Sequence, residues 1–253
     1  MDYLSVLNNL SKDRTHGSSY IVNLMLDAAI SGFSDEKTKK SVKNIIVNQP
    51  SMASVINTGF RIIDALKNGN RNNLDLLKRK LKSVYKSAIS EAVNELNGIK
   101  SLCTISSSKS VESVIYKTVP ETVYLSVGHP KNEGELFAEK LLQNNINVVL
   151  FEDASYGSII KETQAVLSGA DAMFDKYFIN KIGTKCLSIM ANDENIPFFV
   201  VADKFKYLSK EYKQYFNLLP MPEVEISFLN CRRINYYFEY ISNDLVKKFF
   251  TGE

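Results

Sequence analysis

The sequence predicts an α/β fold, a helical N-terminal part followed by a part built on a mainly parallel sheet. Three observations carry that prediction. Before residue 100, apolar residues recur at helical spacing. After it, short β-rich runs alternate with helical stretches, which is the signature of βαβ units. Finally, the chain has 253 residues, 45% of them hydrophobic and 23% charged. That is the composition of a globular chain long enough to bury its own core, as one large domain or two modest ones.

The helical elements come first. In residues 19–31, Ile21, Leu24, Met25 and Ala28 fall on one face, with Ser18 or Ser19 available as a cap. Residues 51–67 repeat the pattern through Val55, Ile56, Phe60, Ile63 and Leu66. A long charged helix is expected over about residues 73–97, its lysines forming a solvated face. The β-rich runs are 101–106, 122–127, 147–152 and 197–202, with a further short run at 165–174.

Composition excludes several classes. With 31 basic and 28 acidic residues the net charge is +3, too even for bulk attraction to nucleic acid, and no nucleic-acid partner is expected. Cys103, Cys186 and Cys231 are too few and scattered for a disulfide framework, and without a CxxC pair a structural zinc site is not expected; no cofactor is expected either. Histidine chemistry is confined to His16 and His129. The N-terminus has Asp2 and no long apolar core, so it does not read as a signal peptide. No run of 18 apolar residues is present, so no membrane partner is expected and the cytoplasm is the default compartment.

Parallel sheets bind ligands beyond the carboxyl ends of their strands, so the chemistry is sought there. After the first run, Ser106, Ser107, Ser108 and Lys109 open a helix. Backbone N–H groups and hydroxyls at such a start bind anions, but capping alone also selects serine. After the second run come Gly128, His129 and Pro130, where a turn histidine is either a ligand contact or merely solvated. After the third, Asp153 or Ser155 is a plausible helix cap. Asp171 follows the 165–174 run, and Asn180 and Lys181 are read as opening another helix. An acid at a strand end beside an Asn–Lys pair can orient a polyol and hold a phosphate, whereas the plainer reading of Asp171 is a buried acid satisfied by backbone N–H groups.

These fragments, in this order, resemble one family. Residues 169–191 followed by 196–208 are similar to the alpha, beta and delta subunits of initiation factor 2B and to methylthioribose-1-phosphate and ribose-1,5-bisphosphate isomerases. The stretch 13–19 is similar to that family's Arg-Gly-Ala-Ser helix start. Residues 48–52, with Asn57, resemble its Arg-Pro-Thr-Met segment, and 235–240, with Leu245, resemble its C-terminal tail. The resemblance implies an α-helical domain over 1–98, a Rossmann-like α/β domain over 99–253, a ligand cleft between them, and a homodimer with the tail near the dimer surface.

Departures from the pattern bear on function. The isomerases carry a cysteine and an aspartate thought to move protons. Asp171 matches the aspartate, whereas the cysteine position aligns with Ser106. A hydroxyl is far less acidic than a thiol, and Cys103, three residues earlier, faces the other side of its strand. His16, Gln49 and His129 stand where arginines are expected, and neither residue type reproduces the bidentate arginine fork. Arg14 can compensate for one loss. The ligand-contacting set implied by the resemblance is Arg14, His16, Gly17, Ser18, Ser19, Gln49, Ser106, Ser108, His129, Asp171, Asn180 and Lys181. A pocket holding two histidines would also bind anions more tightly at low pH. The reading that follows is a non-catalytic, initiation-factor-2B-like regulatory subunit that acts by protein–protein contact. Its expected partners are a second copy of itself, the alpha subunit of initiation factor 2, and a small phosphorylated ligand or nucleotide. The alternatives are a sugar-phosphate aldose–ketose isomerase using Asp171, and a small-molecule sensor outside translation.

Overall fold

The computed structural model describes residues 2–13, 16–218 and 236–252. Arg14, Cys231 and Asn235 lie outside them. The helical part runs α1 (Tyr3–Lys12), α2 (Ser18–Ser31), α3 (Glu36–Asn48), α4 (Ala53–Lys67) and α5 (Arg71–Glu95). Gly17, not a serine, is the N-cap of α2, and no side chain caps that end. Ser18 is instead the first helical residue and is buried. Asp35 caps α3 by accepting the Lys37 N–H, and Asn70 caps α5 by accepting the Asn73 N–H.

The second part contains β1 (Ser101–Thr104), α6 (Lys109–Thr118), β2 (Thr122–Ser126), α7 (Glu133–Gln143), β3 (Val148–Phe151), α8 (Tyr156–Ile159), β4 (Ala165–Ser168), β5 (Ala172–Met173), β6 (Tyr177–Lys181), α9 (Thr184–Asp193), β7 (Phe198–Val201), β8 (Phe238–Ser242) and β9 (Lys248–Phe250). Six strands form a parallel sheet in the order β3-β2-β1-β4-β7-β9. Numbered among themselves these strands run 3-2-1-4-5-6, the order of a doubly wound sheet whose direction of winding reverses between β1 and β4. β4 and β7 are buried at every position, as a sheet covered on both faces requires.

A second, antiparallel sheet joins β5, β6 and β8. Asn180 and Lys181 belong here, at the end of β6, not to a helix start as the local sequence suggests. They pair with Glu239 and Phe238 of β8, and α9 begins only at Thr184. This small sheet is the joint between the two parts of the chain. Ala172, Phe174 and Ile179, with Phe205 and Leu208, share one continuous core with the apolar faces of α1–α5. Asn57 of α4 reinforces the joint. Its Nδ2 donates to the carbonyls of Phe205 and Tyr207 at 2.7 and 2.9 Å, and its Oδ1 accepts the Ser209 N–H at 3.4 Å.

Candidate functional site

The switch point of the sheet falls between β1 and β4, the place beyond whose carboxyl ends doubly wound sheets bind ligands. The chain leaving β1 places Ser106 at φ 63°, a left-handed conformation rare outside glycine that costs on the order of 1 kcal/mol. In that position its Oγ donates to Glu133 Oε2 at 3.1 Å, across to the first residue of α7. Lys181 Nζ, at the end of β6, lies 2.8 Å from the same Oε2. The lysine side chain is only 5% exposed, and its ammonium makes no hydrogen bond among the described residues. The contact is therefore an ion pair without hydrogen-bond directionality. The ring of Tyr237 lies 5.7 Å from the same ammonium.

Asp171 sits beyond β4. Its main chain is held on both sides, the N–H by the Ile179 carbonyl at 2.8 Å and the carbonyl by the Ala53 N–H of α4 at 3.3 Å. The carboxyl makes no hydrogen bond among the described residues, so the backbone-satisfied acid that the sequence allowed is not what forms. Burial pushes its pKa above the ordinary carboxylate value. The Lys206 charge pulls it back down, Glu133 pushes it up and Lys181 pulls it down. Ser106, Glu133, Asp171, Lys181 and Lys206 thus form one electrostatic cluster contributed by five separate segments.

Two members of that cluster escaped the sequence reading. Lys206 is buried and acts electrostatically on both Asp171 and Asp203. The strand-end rule applied to β7 would have found it. Glu133 begins a helix, where an acid is ordinary, and only the long-range contact to Lys181 marks it out.

The remaining expected residues go elsewhere. Asn180 is buried, and its Nδ2 is engaged by Ser168 Oγ and Thr184 Oγ1, both at 2.9 Å. That makes it a brace between β4, β6 and the start of α9. Ser108 is the N-cap of α6 without a side-chain cap bond, and its Oγ presses on Gly169, where any added Cβ would meet it at 2.6 Å. Gln49 is buried, and its Nε2 donates to the carbonyls of Leu10 and Asp13 at 3.0 and 2.7 Å. It closes the C-terminal end of α1 and does not replace an arginine fork. His16 stacks on Tyr20, ring centroids 4.0 Å apart, with Nδ1 2.7 Å from Asp13 Oδ2. Ser19 contributes its carbonyl to Asn23 Nδ2 at 2.8 Å. His129 is exposed, its Nε2 3.3 Å from Glu152 Oε2.

Asp153 does not cap α8. Its carboxylate accepts the N–H groups of Gly128 and His129 at 2.9 and 2.7 Å and the Ser126 hydroxyl, pinning the loop after β2. Ser126 also meets the Tyr156 hydroxyl at 3.0 Å. That tyrosine fits because Gly183, at φ 97°, leaves it room. A Cβ there would lie 2.8 Å from the Tyr156 oxygen. Cys103 is fully buried, and burial pushes its thiol up to about 12.

Among the described residues no group of three or more His, Cys, Asp or Glu is placed to hold a metal, and no helix is long and apolar enough to cross a membrane. Two open grooves, of about 410 and 390 Å³, lie on α1, α2 and the start of α3, and neither contains a residue of the cluster.

Residues 18–253 match the sequence profile of the initiation factor 2 subunit family. The chain belongs to that family. A relative in Pyrococcus furiosus, named for its likeness to translation initiation factor eIF-2B subunit 2, is 26% identical over 87% of this chain and 84% of its own. Ribose 1,5-bisphosphate isomerase of Methanocaldococcus jannaschii is also 26% identical, over 72% of this chain. The match spans only 63% of that enzyme's length. Among solved structures, translation initiation factor eIF-2B of Pyrococcus horikoshii superposes with a TM-score of 0.83 at 22% identity, covering 98% of this chain and 94% of its own. At that identity the likeness establishes the fold. The family thus contains both initiation-factor-like proteins and sugar-phosphate isomerases.

Proposed function

We propose that this chain is a non-catalytic, eIF-2B-like regulatory subunit acting by protein–protein contact in the cytoplasm. The observation that carries the reading is the state of Ser106. At the position that the resemblance gives to the isomerases' cysteine stands a hydroxyl that donates to Glu133, and Cys103, three residues before it, lies in the core. A serine hydroxyl does not ionise near neutral pH, so the proton transfer an aldose–ketose conversion needs has one partner, Asp171, and lacks the other. The helical part, about residues 1–98, and the α/β part, about 99–253, serve as a scaffold, with the cluster in the α/β part and tied to the helical part through the Ala53-to-Asp171 hydrogen bond, and the protein works as a homodimer. The alpha subunit of initiation factor 2 is the expected protein partner, with a small ligand in the crevice tuning the contact.

An isomerase is the second reading, favoured by one observation, the carboxyl of Asp171 with its raised pKa in the field of Lys206, Glu133 and Lys181. Sedimentation of the purified protein, alone and with that alpha subunit, tests the regulatory reading. A dimer that co-sediments with the alpha subunit supports it. A dimer that shows no association at tens of micromolar removes the translation role.

A further inference from the structure

A buried ammonium with unmatched donors, beside a serine hydroxyl in the loop that leaves a strand, is a seat for an oxyanion. Lys181 and Ser106 form such a seat, and it is already taken: Glu133 Oε2 lies 2.8 Å from Lys181 Nζ and 3.1 Å from Ser106 Oγ. The occupant is part of the chain, fixed at the first residue of α7. A second potential anion position, the N-terminus of α9, is filled in the same way. Glu239 Oε1 of β8 accepts the Lys185 N–H there at 2.9 Å. Asp171 adds a further carboxyl beside the seat, opposed by Lys206.

We propose that Glu133 is a specificity-determining residue, a built-in counter-ion that holds the seat between Ser106 and Lys181 and discriminates against phosphate esters in the crevice. A phosphate entering it must either displace the carboxylate from Lys181 or accept a like charge within a few ångströms, and both weaken binding. Removing the charge while keeping the shape opens the seat. In Glu133→Gln, Ser106 retains an acceptor and Lys181 becomes available to an incoming oxyanion. The inference rests on the cluster being the ligand site and on the regulatory reading, since a sugar-phosphate isomerase must admit phosphate esters.

The test is calorimetric titration of inorganic phosphate and ribose 5-phosphate into the full chain as wild type, Glu133→Gln and Glu133→Ala, with thermal melts to verify folding. Glu133 is 30% exposed, so neither change opens a sealed cavity. Both variants are expected to bind these anions at least about tenfold more tightly than wild type. The gain should vanish in the Glu133→Gln, Lys181→Met double variant. Equal affinity in wild type and the folded Glu133 variants overturns the proposal, as does a gain that survives loss of Lys181. Failure of the regulatory reading shows separately, as wild-type turnover of ribose 1,5-bisphosphate, which leaves the affinity ratio to be read independently.

Discussion

Two edges of this molecule meet at the Ala53-to-Asp171 hydrogen bond, and their polar side chains are used differently. On the helical edge, Gln49 occupies an expected arginine position and has become structural, its amide closing the end of α1. On the sheet edge, Lys181 keeps a buried charge that no hydrogen bond satisfies among the described residues, and the carboxyl of Asp171 near it has a pKa raised by burial. Satisfied polar groups stabilise a fold, whereas unsatisfied or perturbed charged groups mark a place built for something other than stability. The helical edge now contributes structure, and the sheet edge contributes electrostatics.

Substitutions that probe this contrast should fall in a definite order. Asn57→Leu, at the joint between the edges, removes three hydrogen bonds and leaves the carbonyls of Phe205 and Tyr207 unpaired. A loss of about 3 kcal/mol in denaturant-unfolding stability is expected. Gln49→Ala leaves the Leu10 and Asp13 carbonyls without their side-chain donor and should cost about 2 kcal/mol. Its affinity for any crevice ligand should stay at the wild-type value, and a loss of affinity would return Gln49 to the ligand set.

Asp171→Asn should act in the opposite direction. The folded pKa of Asp171 lies above its unfolded value because of burial. Its carboxyl therefore favours the folded state when protonated, and that contribution disappears as pH rises through the folded pKa. At pH 7 the asparagine variant should melt above wild type. The difference should shrink as pH falls toward the ordinary carboxylate value. A variant less stable than wild type at pH 7 would make Asp171 a structural residue and erase the contrast.

The sequence exposes those elements whose pattern is local. β1, β2, β3 and β7 are short apolar runs, and α2, α4 and α5 show their periodicity over three turns or more. β6 was hidden because its last residues, Asn180 and Lys181, owe their conformation to β8, about 60 residues later. Without that pairing, an Asn–Lys–Ile–Gly–Thr segment reads as a helix start. Of the cluster, Ser106, Asp171 and Lys181 were visible as strand-end residues or through the family resemblance. Glu133 was not, since an acid in the first turn of a helix is expected for dipole reasons alone. Gln49 was assigned to a pocket because its sequence neighbours place it there, yet its side chain turns the other way, toward α1.

The regulatory reading proposed above is decided by incubating the wild-type protein and Ser106→Cys with ribose 1,5-bisphosphate and following conversion to the ketose by NMR. Wild type is expected to show no conversion above the buffer control, with any turnover confined to the cysteine variant. Wild-type conversion that is lost in Asp171→Asn would contradict the account and make the chain an enzyme.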